Sequence, residues 1–439
     1  MTAQPIEVQA TPPSRREALL KSLLPLVAGG LAEAVQTLGV GTPVARATEK
    51  TGPISDPPRD LVPTGSDIGS LFPLIQAMGE RSPFSLAFTG DRFASLAEYK
   101  AAGRTAVTTC FGRVPDRVEL RPEVVDRQDL GDIIREKVLF STTPDFRVPA
   151  YLHLPKAAIH KPCPAVIDLH SHGGMFLFGK EKVVDLGPGR NHPVMEAYHR
   201  DVYGGRPTAT ALARRGYVVI TIDALMFGER RLMRDKDLHY GWDRANYSLE
   251  TAKLLNDVCR SKEATLVKSL MLAGFTWPGL VTWDDQRTVD YLLTRPEVDS
   301  DRIGCLGVSM GGHRALYLAG MDERIAAACV VGFMSTVRPM IRSHIDTHSF
   351  VHFVPGLHQF LDMPDVVAMM APKPLLVQQC RQDGLYPPAG MDESVAKVAA
   401  VYRKAGVADR FTGQFFDGGH RFDQPMQDAA FAFLDRWLQ

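Results

Sequence analysis

The sequence predicts an α/β fold: a mostly parallel central sheet with helices on both faces, preceded by an N-terminal extension. Two observations carry that prediction. Short, nearly continuous apolar runs recur along the chain, as expected of strands buried on both faces. Between them lie longer segments with helical periodicity, and this alternation is the mark of helices covering a parallel sheet.

The elements follow in order. Residues 48–66 are rich in Pro, Gly, Ser and Asp and read as a linker. Residues 67–107 carry helical patterns around Leu71–Met78 and Leu96–Tyr99, read as an extension packed on the main domain. From about residue 136 the pattern changes to strands, 136–141 and 148–154, joined by a polar turn at Thr143-Pro144-Asp145. A strand at 164–169, a helix at 208–215 and a strand at 217–222 follow. An amphipathic helix at 283–295 precedes a strand at 303–307 and a helix at 311–319. Strands at 326–331 and 374–380, a helix at 395–405, a strand at 411–416 and a closing helix at 428–438 complete the series. The chain thus divides into 1–47, 48–135 and a main domain at 136–439.

Composition excludes some functions. Fifty basic residues balance fifty acidic ones, so there is no global positive field to hold nucleic acid or an anionic membrane. The six cysteines are scattered without CxxC spacing and read as buried thiols rather than disulfides.

The N-terminal segment has the look of an address. Ser14-Arg15-Arg16-Glu17-Ala18-Leu19-Leu20-Lys21 resembles a bacterial twin-arginine export signal, and an apolar stretch from Leu23 to Val40 leads to Ala45-Arg46-Ala47, an A-x-A cleavage pattern. Glu33, Gln36 and the glycines interrupt the apolar stretch, which disfavours a membrane span. The expectation is export to the periplasm or beyond with cleavage after Ala47; a tail on a cytoplasmic enzyme is the alternative.

The chemistry concentrates at the ends of the predicted strands, where parallel sheets place their active sites. Gly307-Val308-Ser309-Met310-Gly311 is a G-x-S-x-G set between a strand and a helix. Such a turn lifts the serine hydroxyl clear of the sheet and turns the N–H of Met310 towards the space where an oxyanion would form. A serine hydroxyl needs an adjacent base. His420, on the glycine-rich loop Asp417-Gly418-Gly419-His420, is the only histidine after His358 and is the expected base. Asp383, just past the strand at 374–380, is the expected acid; Asp362 and Asp365 precede that strand, and Asp392 reads as the start of a helix. The second oxyanion donor is expected from His170-Ser171-His172-Gly173-Gly174-Met175. Counting from His170 as the strand-end histidine selects the N–H of His172, the assignment we adopt; counting from His172 selects Gly174 or Met175.

A resemblance then becomes specific. Leu169-His170-Ser171-His172-Gly173-Gly174, Asp223-Ala224-Leu225-Met226-Phe227-Gly228-Glu229-Arg230, Arg295-Pro296-Glu297-Val298-Asp299, the Ser309 motif and Gly418-Gly419-His420-Arg421-Phe422 resemble a bacterial α/β-hydrolase family grouped with acetyl xylan esterases and dienelactone hydrolases. The likeness spans roughly residues 136–439. It implies the α/β-hydrolase fold, a Ser309–Asp383–His420 triad and hydrolysis of a carboxylic ester or related acyl bond in a small molecule. Classical dienelactone hydrolases use a cysteine where this chain has Ser309. A peptidase of the prolyl-oligopeptidase type shares the triad order but usually carries an N-terminal propeller, and a non-catalytic binder on the same scaffold is a third reading.

Other features carry weaker expectations. His344, His348 and His352 recur every four residues, either as one helix face suited to a metal or as a loop at the pocket rim; no metal or cofactor is assigned. Arg230, Arg231, Arg338 and Arg342 either hold an anionic substrate group or make structural ion pairs. The insertions at 176–206 and 233–278, with Tyr198, Tyr203, Tyr240, Trp242, Tyr247 and Trp277, are expected to wall the pocket.

Overall fold

The computed structural model describes residues 63–439. The export signal, its cleavage site and most of the expected linker lie outside the described residues. One nine-stranded sheet organises the rest, in the order β1-β2-β3-β5-β4-β6-β7-β8-β9. The strands are β1 (Glu123–Asp129), β2 (Ile133–Ser141), β3 (Arg147–Pro155), β4 (Cys163–Leu169), β5 (Val218–Ile222), β6 (Val298–Val308), β7 (Ile325–Val331), β8 (Leu375–Cys380) and β9 (Phe411–Phe416). β1, β2 and β3 pair antiparallel, β3 also meets β5 antiparallel, and from β5 to β9 every pairing is parallel.

Burial explains which strands were easy to read. Every residue of β5 and β8 is buried, and both appear in the sequence as mainly apolar runs, interrupted only by Thr221 in β5 and by Gln378 and Gln379 in β8. β1 is exposed over nearly its whole length and reads Glu-Val-Val-Asp-Arg-Gln-Asp, with no apolar alternation to betray it. It lies within the extension expected at 48–135, beyond the helical patterns read at 67–107, and brings the start of the sheet forward from residue 136. Its charges suit an edge strand, where they discourage pairing with another chain.

Eleven α-helices surround the sheet among the described residues. α1 (Phe72–Glu80) and α2 (Leu96–Phe111) form the extension, and α2 packs through Tyr99, Ala106 and Val107 into the main core. α3 (Pro193–Tyr203) and α5 (Leu249–Leu272) belong to the two insertions, with α4 (Thr208–Arg214) between them. α6 (Trp277–Leu292) starts six residues before its expected beginning at residue 283. Thr276 caps its first turn by accepting from Gly279, and Pro278 suits that turn because its missing N–H would have no partner there. α7 (Met310–Met321) follows the Ser309 turn, and α8 (Val337–Met340) and α9 (Met363–Ala368) lie between β7 and β8.

α10 (Pro388–Lys404) corrects the reading of Asp392 as a helix start: the helix begins four residues earlier at Pro388, and Asp392 pairs with Arg381 at 2.7 Å. α11 (Gln424–Leu438) closes the chain, capped by Asp423. Buried side chains form two main layers, one on each face of the sheet, the first including Val138, Ile167 and Ile220 and the second Val166, Val219 and Leu306. All six cysteines are free, with Cys110 and Cys163 half-buried and the others buried.

Candidate active site

The Ser309 turn is built by close backbone approach. Ser309 has φ 60° and ψ −123°, a conformation unfavourable for a residue with a side chain. Glycines make the turn possible. A Cβ on Gly311 would lie 1.8 Å from the Leu169 carbonyl oxygen, and one on Gly307 would lie 2.5 Å from the Gly311 backbone. The strand β4, the turn and the first turn of α7 therefore touch through backbone alone. The N–H of Ser309 donates to the Val331 carbonyl at 2.9 Å, tying the turn to β7. The N–H of Met310, at the first position of α7, has no acceptor within its helix, and the positive end of the helix dipole lies at the same place.

Asp383 and His420 come together from loops following β8 and β9. The Nδ1–H of His420 donates to Asp383 Oδ2 at 2.7 Å, while Asp383 Oδ1 accepts the N–H of Leu385 at 2.9 Å. The Asp383 side chain is 1% exposed, so the carboxylate is held on both oxygens away from water. His420 lines a cavity of about 210 Å³ together with Ser309. Ser171, His172, Tyr198, Thr347 and His348 are also among its walls. The competitors of Asp383 are committed elsewhere: Asp362 caps α9, and Asp365 pairs with Lys397 at 2.8 Å.

The loop after β4 distributes its donors unevenly. The N–H of Gly174 donates to His172 Nδ1 at 3.0 Å, and the N–H of Met175 to the His172 carbonyl at 3.1 Å. The N–H of His172 has no acceptor among the described residues. With Nδ1 accepting, the His172 proton sits on Nε2, facing Glu263 at 3.8 Å, and burial holds its pKa down.

The insertions behave differently from each other. From the first, Tyr198 and Val202 reach the Ser309 cavity. The second braces the loop from behind instead of lining it. Asn256 on α5 donates to the Gly174 carbonyl at 3.0 Å and accepts from the N–H of Phe176 at 2.8 Å, while Arg260 also donates to the Gly174 carbonyl at 3.0 Å. Glu263 takes Ser349 Oγ at 2.8 Å and the N–H of Phe350 at 2.9 Å, holding the opposite wall. Of the six aromatics expected to wall the pocket, only Tyr198 does so; Trp277, for example, is fully buried and donates to the Leu225 carbonyl at 3.1 Å.

The histidine series forms no single helix face. His344 has φ 76°, and the segment is a loop ending in one 3-10 turn at Phe350–His352. His348 and His352 line the cavity, with burial holding both pKa values down. Among the described residues no group of three or more His, Cys, Asp or Glu is arranged to hold a metal. The four arginines make structural contacts: Arg230 with Asp284 at 2.6 Å, Arg231 with the Tyr247 hydroxyl at 2.9 Å, Arg338 with the Ser82 carbonyl at 2.6 Å and Arg342 with the Thr64 carbonyl at 2.9 Å.

Sequence reasoning missed two buried lysines. Lys180 Nζ lies 2.8 Å from Asp223, 3.1 Å from Glu181 and 2.6 Å from Glu229. Burial alone would depress its pKa, yet these carboxylates hold it well above the ordinary value. Lys182, two residues on, donates to the carbonyls of Ser171 and His172, both at 2.8 Å. The signal was the pair of lysines in Gly179-Lys180-Glu181-Lys182 within an otherwise apolar run. A larger cavity of about 600 Å³ adjoins the Lys180 cluster, lined by Glu181, Glu229, Arg244 and Trp242 among others. It contains neither Ser309 nor His420, so size alone does not locate the chemistry.

A nine-stranded sheet, a serine on a strained strand–helix turn and an Asp–His pair on the following strand ends define an α/β-hydrolase. The chain belongs to the Abhydrolase family, whose pattern matches residues 66–430. It is 27% identical over 340 residues to a candidate hydrolase of Bacillus subtilis (strain 168), YtaP, covering 77% of this chain and all of that one. Among solved structures, a candidate acetyl xylan esterase of Bacteroides fragilis superposes with a TM-score of 0.60 at 19% identity, covering 80% of this chain and 84% of that one. A glucuronoyl esterase from Solibacter usitatus does so with a TM-score of 0.53 at 17% identity, covering 76% and 92%.

Proposed function

We propose that the protein is a serine esterase that cleaves a carboxylic ester through an acyl-enzyme. The observation that carries this reading is the shared cavity: Ser309 on its strained turn and His420, itself hydrogen-bonded to Asp383, open onto the same space. Ser309 Oγ attacks the ester carbonyl while His420 Nε2 takes its proton. The N–H groups of Met310 and His172 receive the oxyanion. His420 then returns the proton to the departing alcohol, and water repeats the sequence on the acyl-enzyme. Asp383 keeps the proton on Nδ1, leaving Nε2 free to act as base.

The cavity walls favour a short acyl group on a polar alcohol. About 210 Å³ is small for a ligand pocket, and His348 and His352 each present a buried ring nitrogen without a hydrogen-bond partner. Hydroxyl groups would satisfy them. The neighbouring structure named as an acetyl xylan esterase points in the same direction. A labelled fluorophosphonate should modify Ser309, and a panel of acetylated sugars, aryl esters, lactones and peptides should show turnover of the first two classes. Absence of labelling would favour a binder on this scaffold, and preferential peptide cleavage a peptidase.

We further propose twin-arginine export, carried by Arg15, Arg16 and the Ala45-Arg46-Ala47 site. Mass spectrometry of protein from the native host should find a chain beginning at Thr48; one that still starts at Met1 or Thr2 would overturn the proposal.

A further inference from the structure

We infer that Lys182 is a positioning residue: its buried ammonium fixes the direction and strengthens the donor character of the His172 N–H that receives the oxyanion. The inference rests on the esterase reading above.

Peptide geometry carries the argument. The Ser171 carbonyl and the His172 N–H belong to one peptide unit, and in a trans unit these two groups point in opposite directions. Lys182 Nζ grips the Ser171 oxygen at 2.8 Å. Together with His170 Nδ1, which donates to the same oxygen at 3.0 Å, it sets the plane of that peptide and directs the His172 N–H away from itself. The same ammonium holds the His172 oxygen at 2.8 Å, so both peptides flanking the His172 Cα are anchored from one point. The N–H left on the far side has no acceptor among the described residues, while Ser171 and His172 both line the Ser309 cavity.

The placement of Lys182 is costly without such a role. Its side chain is fully buried, and no carboxylate lies within 4 Å of Nζ among the described residues. Its other neighbours are the rings of Phe227 at 4.6 Å and Tyr198 at 5.8 Å, which offer the cation their π faces. Lys180 shows the ordinary solution to the same burial, three carboxylates within 3.1 Å. Burial pulls the Lys182 pKa down, as expected for a cation solvated only by carbonyls and rings. A positive charge bound to a peptide oxygen also draws electron density from its N–H, which makes that group a better donor to an oxyanion in a water-poor site.

The test uses Lys182→Met, Lys182→Ala and Lys182→Arg in the full chain, with circular dichroism to establish folding and an acetyl ester as substrate. Lys182→Met should lower kcat by about ten- to a hundredfold with KM within about threefold, because the donor matters for the oxyanion more than for the bound ester. Lys182→Ala should behave likewise and recover at least part of kcat on addition of methylammonium or ethylammonium. Lys182→Arg, which keeps the charge, should stay within about tenfold of the parent. Unchanged kcat in folded Lys182→Met, or an Arg variant as slow as the Met variant, would overturn the inference. If Met and Ala do not fold, a folded Arg variant slowed more than a hundredfold would do so as well. The esterase reading is checked separately by Ser309→Ala: activity surviving there removes the reading itself, whereas an inactive Ser309→Ala beside a fully active Lys182→Met removes only the role of Lys182.

Discussion

On one side of the Ser309 cavity, each proposed triad residue follows the end of a strand: Ser309 after β6, Asp383 after β8 and His420 after β9. The backbone holds these groups, through glycines that admit close approach and turns of two or three residues. On the other side, the loop at 171–175 is held by side chains of the insertions: Lys182, nearby in sequence, from the first, and Asn256 and Arg260, distant in sequence, from α5. The strand-end side is thus specified locally, and the insertion side in large part by long-range contacts. The comparison separates parts of the site that a short motif can encode from parts that depend on the whole fold.

The sharpest way to break the comparison is Ser309→Ala, expected to lower turnover by about four to six orders of magnitude while leaving circular dichroism unchanged. Near-parental turnover in purified protein would dissolve the strand-end side altogether. Next is Asp383→Asn, expected to cost about four orders of magnitude in kcat, because an amide stabilises the wrong tautomer of His420. Asp392→Asn, which breaks only the exposed pair with Arg381, should leave kcat within about twofold and stability within about 1 kcal/mol. The reverse ranking in folded protein would misplace the acid.

Asn256→Ala probes the other side. It removes the donor to the Gly174 carbonyl and the acceptor of the Phe176 N–H, and should cost about 2 kcal/mol of stability by thermal unfolding with about a tenfold loss of kcat. Full activity would mean that α5 does not position the loop.

The smallest effect concerns Asp168, on β4 just before the loop, whose buried carboxyl is pushed up to about 7 by burial. A carboxyl whose folded pKa exceeds its unfolded one binds a proton in the folded state over that interval. Its contribution to stability is therefore largest below about pH 4 and declines as pH rises towards 7. Asp168→Asn should remove this decline, so melting temperatures measured from pH 4 to 9 should converge with the parent at the acid end and exceed it above neutrality. Parallel curves would rule out titration of Asp168 in that range.

The same division explains what was legible beforehand. Strands buried on both faces announced themselves as apolar runs, and Ser309, Asp383 and His420 could be placed by their distance from those runs. β1 was missed because an exposed edge strand has no apolar pattern. The aromatics of the insertions were assigned to the pocket by composition, yet only Tyr198 reaches the Ser309 cavity, because others are committed elsewhere: Tyr203 and Trp277 are buried in the core and Trp242 lines the larger cavity beside Lys180. His348 and His352 line the cavity, in keeping with the expected loop at the pocket rim, whereas Thr347 joins them through the fold of that loop between α8 and α9, which no periodicity could indicate.

The contact of Gly311 with the Leu169 carbonyl has a consequence for how the enzyme can diversify. Leu169 immediately precedes the loop that bears His172, and Gly311 immediately follows Met310, so the two proposed oxyanion donors hang from segments that already touch. Their spacing is inherited from two main chains in contact and does not depend on the residues that surround the substrate. Libraries varied at Val202, Thr347 and Ser349 can therefore explore new esters without retuning the distance between the donors, whereas Tyr198, hydrogen-bonded to Ser171 at 2.6 Å, is better left alone. A library that varies Gly307 or Gly311 alters the one dimension that all of those esters share.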